Sequence, residues 1–242
     1  MTQYAPLLLL FDKPIDEVSQ RLDAYVDLTD DIFSGHQKFA NSAPLSLLYD
    51  GLVFSARFVD LDTDVARYKN ILCNINTTKT CCALGIDLGD NIKGGETIAP
   101  IIKGLLALAR RLGQGSGAIA TAWTPALIVS DFGYFAQAVT SYENDGAFPV
   151  LALVDFQSRD DDVIVTRGLA FLSTQEVSFV KGDLPLDEVT RRLVRIVHDI
   201  ATNGPVTVKL EVEGMRAREI IHLIPSISGQ EVRAEMISKS DA

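Results

Sequence analysis

FPVLALVDFQSRDDDVIVTRGLAFLSTQEVSFV, residues Phe148–Val180, is the stretch on which the fold class turns. Its first run, Val150–Phe156, is almost wholly apolar and β-prone. A length of about seven residues, with Val and Phe prominent, favours a strand over a buried helix. Ser158–Asp162 is a polar, acidic break of the kind that forms a hairpin tip. Val163–Leu172 returns as a second strand, and Glu176–Val180 reads as a third. A run apolar on both faces belongs in the middle of a sheet covered by helices. These strands are therefore expected at the centre of a C-terminal sheet.

Working outward, Leu186–Thr202 carries a helical stripe of Val189, Leu193, Ile196, Val197 and Ile200, closed by Asn203-Gly204-Pro205. Val206–Val212 and Ile220–Ile224 read as closing strands, and the polar residues from Ser226 as a frayed tail. Upstream, Ala118–Trp123 reads as a strand, and Ser130 or Asp131 caps a helix over Phe132–Tyr142 that Asn144-Asp145-Gly146 ends. In the first third, Leu7–Phe11 is a strand and Val18, Leu22, Tyr25 and Val26 share a helical face. Asp27–Ala43 is a long loop, Leu45–Tyr49 and Leu52–Val59 form a hairpin around Asp50-Gly51, and Thr80–Leu88 is a strand. A helix opened by Asp62 or Thr63 is expected to bury Val65, Tyr68, Ile71, Leu72 and Ile75. Ile98–Leu112 is apolar over more than one stripe and is expected to lie between the halves, ended by Gly113–Gly117.

The expectation is an α+β protein of two pseudo-repeated ferredoxin-like βαββαβ halves with antiparallel or mixed sheets. The halves span 1–93 and 118–225, joined by a connecting helix within 94–117 and followed by a tail over 226–242. A single mixed sheet with helices on one side is the alternative.

Composition narrows the function. A net charge of −10 and a pI near 4.7 disfavour nucleic acid as a partner. No stretch approaches the roughly eighteen apolar residues that span a bilayer, and MTQYAPLLLLFDKP lacks a basic leader. Three cysteines, Cys73, Cys81 and Cys82, in no framework spacing read as reduced thiols of a cytoplasmic protein.

The reactive residue types form no constellation. Asp60, Asp62 and Asp64 begin like a calcium loop, but Val65 and Ile71 stand where the turn glycine and bidentate acid should be. Asp160–Asp162 is a hairpin tip. Gly113-x-Gly115-x-Gly117 follows a helix and enters a strand, the reverse of a phosphate cradle. His36, His198 and His222 are dispersed, with His198 and His222 expected at the surface and His36 the one histidine with any claim to chemistry. No metal site and no cofactor are expected. A glycine inside a strand marks a bulge or a close approach, so Thr166, Arg167 and Gly168 stand out. Arg167 could face Glu176 or hold an anion, and Trp123 beside Pro125 could line a groove.

Trp123-x-Pro125, and Thr166-Arg167-Gly168-Leu169 followed by Glu176, resemble the bacterial family called domain of unknown function 4261. The order matches over most of the chain: a Leu-rich opening strand, a hairpin in the first third, an Ala-rich helix, the aromatic-Pro step and the Thr-x-Gly-Leu strand. The chain departs from that pattern where Phe171 leads to Leu172-Ser173 instead of a glycine. The resemblance implies a fold, with no established activity and no catalytic residues. The reading favoured is a cytoplasmic, non-enzymatic interaction or binding module whose partner is another protein or a second copy, engaging neither nucleic acid nor membrane. The alternative is a small-molecule binder or enzyme with a cleft between the halves lined by Trp123, Thr166, Arg167 and Glu176.

Overall fold

The computed structural model describes residues 5–39, 43–59, 68–71 and 80–238, which form two mixed sheets and six α-helices. The chain begins with β1 (Leu7–Phe11), α1 (Ile15–Leu28), β2 (Ile32–Phe33), β3 (Leu45–Tyr49), β4 (Leu52–Val59), β5 (Lys69–Ile71) and β6 (Cys82–Leu88). It continues through α2 (Ala99–Ser116), β7 (Ala120–Trp123) and β8 (Ile128–Asp131). These eight strands make the first sheet, in the order β2-β3-β4-β6-β1-β7-β8-β5. Every neighbouring pair in it is antiparallel except β5 and β8.

β1 sits at its middle because all five of its side chains are apolar and must be covered from both sides. Leu7, Leu9 and Phe11 join the main core with Val18 and Leu22 of α1 and Leu105 and Leu108 of α2. Leu8 and Leu10 point the other way, into a smaller cluster with Ala83, Ala120, Ala122, Val129 and Tyr68. The β3–β4 hairpin turns at Asp50 and Gly51 with φ of 48° and 75°, the left-handed pair that a two-residue turn needs.

The second half continues with α3 (Phe132–Glu143), α4 (Val150–Leu153), β9 (Asp155–Ser158), β10 (Val163–Arg167), α5 (Leu169–Ser173), β11 (Glu176–Val180), α6 (Leu186–Asn203), β12 (Leu210–Glu213), β13 (Glu219–Pro225) and β14 (Glu231–Ser238). The last six strands order as β12-β13-β14-β11-β10-β9. Val189, Leu193, Ile196, Val197 and Ile200 of α6 lie in the same core as Val177, Phe179, Val232 and Ala234, so one apolar layer runs between the two sheets.

The coarse α+β expectation holds; the duplicated ferredoxin-like halves find no support in the strand order. β7 and β8, assigned to the second half, complete the first sheet beside β1. Several elements also differ from expectation. Val150–Leu153 is a helical turn, and only Asp155–Ser158 is strand, at the edge of its sheet. β10 stops at Arg167, because Gly168 takes φ 99° and starts α5. Ile32–Phe33 adds an edge strand within the expected loop, and Ile128–Asp131 is a strand whose last residue, Asp131, caps α3 through Tyr134 N–H at 3.0 Å. Lys69–Ile71, expected in a helix with Tyr68, is strand; the rest of that helix lies outside the described residues, as do the Asp60–Asp64 acids and Cys73.

α2 runs through Gly113 and Gly115 and ends at Gly117 in the left-handed region. The inner glycines are contact points: a Cβ at Gly113 would sit 2.2 Å from the Phe132 ring, and one at Gly115 2.2 Å from the Tyr25 ring. The largest departure is the supposed tail. β14 runs parallel to β11 and antiparallel to β13, filling the place between them. The buried Gln175 fixes its entry, donating to Gly229 O at 2.8 Å and Val206 O at 3.0 Å and accepting from Val206 N–H at 2.9 Å.

Charged fasteners complete the frame. Arg192 of α6, 2% exposed, makes two bonds to Glu219 at 2.6 and 2.7 Å and two to Glu188, its carboxylate at 3.1 Å and its main-chain carbonyl at 2.9 Å. Lys69 on the edge of the first sheet meets the buried Asp155 on the edge of the second at 2.6 Å.

Two outcomes follow from this frame. A chain ended after Pro225 is expected to lose its cooperative urea transition, because β11 and β13 lose the strand between them; a truncated chain that melts like the full one would contradict the pairing. The Arg192 guanidinium holds the Glu219 carboxyl below its ordinary value of 4.5. That contribution is fully present above the unfolded value and is lost as pH falls through the lower folded one. The stability gap between the native chain and Glu219→Gln should hold steady above about pH 5.5 and shrink below about pH 4.5. A pH-independent gap in urea melts would show that the carboxylate charge is not what Arg192 uses.

Candidate functional site

Alternation along β4 places Phe54, Ala56 and Phe58 in the main core and turns Val53, Ser55 and Arg57 to the opposite face. β6 does the same, with Leu84, Ile86 and Leu88 inward and Gly85 and Asp87 outward. The registers Ser55↔Asp87, Arg57↔Gly85 and Ser46↔Ser55 bring these outward residues side by side. They floor an open groove of about 980 Å³. One wall is the segment after β6, with Asp90, Lys93 and Glu96; the other holds Thr124, Pro125 and Phe171. Gly89 lets the first wall begin close against the floor: its N–H donates to Val53 O at 3.0 Å, and a Cβ would lie 2.4 Å from that oxygen.

Most polar groups around the groove are uncommitted. Arg57 is exposed and makes no ion pair or hydrogen bond among the described residues. Lys93 is likewise free, while Asp87 accepts only from the N–H of Leu88 at 2.8 Å and Glu96 from Gly94 N–H at 3.2 Å. Opposite Arg57, Gly85 offers no side chain to cover the guanidinium, so its donors face the groove and solvent.

The four residues singled out from sequence lie behind the second wall. Thr166 is buried, donating its hydroxyl to Glu176 at 2.6 Å and accepting from Val177 N–H at 2.7 Å. The other Glu176 oxygen accepts from Gly168 N–H at 2.8 Å and Ala170 N–H at 3.1 Å. Glu176 therefore closes the turn that launches α5. A Cβ at Gly168 would lie 2.7 Å from Ala126 Cβ and 2.9 Å from Leu153 O, so the turn packs too closely for a side chain. α5 in turn carries Phe171, whose ring meets Trp123 edge-on, centroids 5.3 Å apart. Trp123 is 2% exposed and its buried Nε1 has no partner among the described residues. Arg167 is exposed and does not reach Glu176 or any other acid among the described residues. Thus Thr166, Glu176 and Trp123 buttress Phe171, and none of the four lines the groove itself.

The remaining reactive groups are spoken for. His198 accepts from Phe148 N–H at 3.1 Å and is half-buried, not the surface histidine expected. His222 is also largely covered and lies 3.0 Å from Glu211. His36 is exposed, edge-on to Phe33. The thiols of Cys81 and Cys82 donate to the carbonyls of Asp12 and Lys13, each at 3.3 Å, and burial with the neighbouring Cys81 pushes the Cys82 thiol up to about 11. No group of three His, Cys, Asp or Glu among the described residues is placed to hold a metal, and none of the described helices is long and apolar enough to cross a membrane.

Sequence reasoning missed the groove floor, although a signal was present. Ser55 and Arg57 on one face of β4 and Asp87 on the same face of β6 break otherwise apolar strands. Comparison of the chain with protein-family models, with curated proteins and with solved structures gave no match. The resemblance to the domain of unknown function 4261 rests on its short motifs alone.

Replacing Glu176 with Ala removes the acceptor of Thr166, Gly168 and Ala170 together. An unfolding free energy lower by about 2 kcal/mol is expected in urea, with less near-ultraviolet dichroism from Trp123 as Phe171 loosens. A variant as stable as the native chain would mean that the capped turn is incidental to the wall.

Proposed function

We propose that the protein is a non-enzymatic, cytoplasmic binding module that seats an extended segment of a partner protein in the groove of the first sheet. The observation that carries this reading is Arg57, a guanidinium on a polar strand floor with no partner among the described residues. Its planar fork of donors matches a carboxylate, so the segment bears an Asp, a Glu or a free C-terminus at that point. Small-molecule sites are mostly apolar and enclose their ligands. This groove is open and polar, a shape that suits a polypeptide laid along it. Asp87, Asp90 and Glu96 supply acceptors for basic or amide groups on the same segment. Phe171, held by Trp123, offers an apolar flank against which an aliphatic residue would pack.

Displayed random peptides selected on the native chain, then on Arg57→Glu, provide the test. Acidic peptides should be enriched by the native chain and bind at least tenfold more weakly to the variant, whose thermal melt stays unchanged because Arg57 is exposed. Failure to enrich any sequence, or equal retention by Arg57→Glu, would refute the reading.

A further inference from the structure

β12 is the open edge of the second sheet, and its sequence is complementary to itself. Gly214 N–H donates to Glu219 O at 2.8 Å, one step beyond the Glu213↔Ile220 pair. In an antiparallel ladder the bonded positions alternate, so Val212 and Leu210 also turn their main-chain groups toward β13. The N–H and C=O groups of Glu211, Glu213 and the adjoining Lys209 therefore point away from the sheet, toward an incoming strand. Leu210 on this edge is 41% exposed, and Val208, at the bend just before the strand, is 61% exposed. Lys209 and Glu211 alternate in sign.

The geometry points to a second copy of this chain as the occupant, pairing antiparallel through β12 about a twofold axis at Leu210. In that register Leu210 faces Leu210 of the second copy. Lys209, just before the strand, faces its Glu211, and this pairing occurs twice by symmetry. The Lys209 and Glu211 positions are the ones with free main-chain groups, so the same register forms about four inter-chain hydrogen bonds. The neighbouring registers are worse. Centring on Glu211 sets that carboxylate against itself, and centring on Val212 opposes Glu211 to Glu213. Charge thus selects one register, and the two six-stranded sheets become a single continuous sheet. This pairing is independent of the groove, which lies on the other sheet. The short strand gives a weak dimer that forms as concentration rises.

Sedimentation equilibrium of the full chain over a wide concentration range tests this. The native chain should pass from monomer to dimer. Lys209→Glu, which opposes like charges twice, should raise the dissociation constant roughly tenfold or more. Lys209→Glu combined with Glu211→Lys restores the unlike pairs and should recover the dimer. Both substituted positions, Lys209 and Glu211, are exposed, and circular dichroism melts check that each variant is folded. A native chain that stays monomeric at every concentration would overturn the proposal. So would a dimer indifferent to Lys209→Glu, or one that the double exchange fails to restore.

Discussion

The first sheet depends on β1 being apolar on both faces. A strand of this kind has no solvated side, so it must be flanked by strands and covered from above and below. That requirement draws Cys82–Leu88 to one side of Leu7–Phe11 and Ala120–Trp123 to the other, from segments more than thirty residues apart. It also sets the two layers on either side. Leu7, Leu9 and Phe11 take the large side chains of α1 and α2, whereas Leu8 and Leu10 face small residues, Ala83, Ala120 and Ala122, across the opposite face. The groove lies on that thinner side. Small residues and Gly85 leave the floor low where β4 and β6 turn Ser55, Arg57 and Asp87 outward.

The second sheet is fixed by polar fasteners set in an apolar layer. Arg192 and Gln175 are buried with every side-chain nitrogen hydrogen-bonded, and each joins segments distant in the chain: α6 to the start of β13, and β11 to the entries of β12 and β14. Buried groups of this kind are costly unless every donor is met, so they favour one arrangement over its near neighbours. Glu176 works on a smaller scale. Its two oxygens gather the Thr166 hydroxyl and two main-chain N–H groups, turning the end of β10 into α5 and bringing Phe171 to the groove wall.

The site was half legible. Gly168 within an apparent strand marks the close approach at which β10 ends, whereas Trp123, read as a residue that could line a groove, is buried behind Phe171. Their side chains are structural because burial satisfies them internally, which no spacing in the sequence reveals. Arg57 was overlooked because one charged residue on a strand reads as an ordinary solvated face. Its standing depends on what lies across from it, and Gly85 becomes its neighbour only through the β4–β6 register.

Local pattern by itself determined the elements whose cause is local: the Asp50-Gly51 hairpin, the stripes of α1, α2, α3 and α6, the Glu176–Val180 strand, and the α+β class they make together. These depend on turn chemistry and periodicity within a dozen residues. Only the tertiary structure decided which strands pair. β14 reads as a polar tail because Glu231, Arg233 and Glu235 alternate with small or flexible apolar residues, yet it is the strand that joins β11 to β13. Val150–Leu153 is apolar enough for a strand but coils into a helical turn, since it is buried by packing against both α6 and β8 and not by pairing within a sheet. In both cases the deciding energy lies in contacts with residues far along the chain, and hydrophobic pattern records how much a segment must be buried without recording against what.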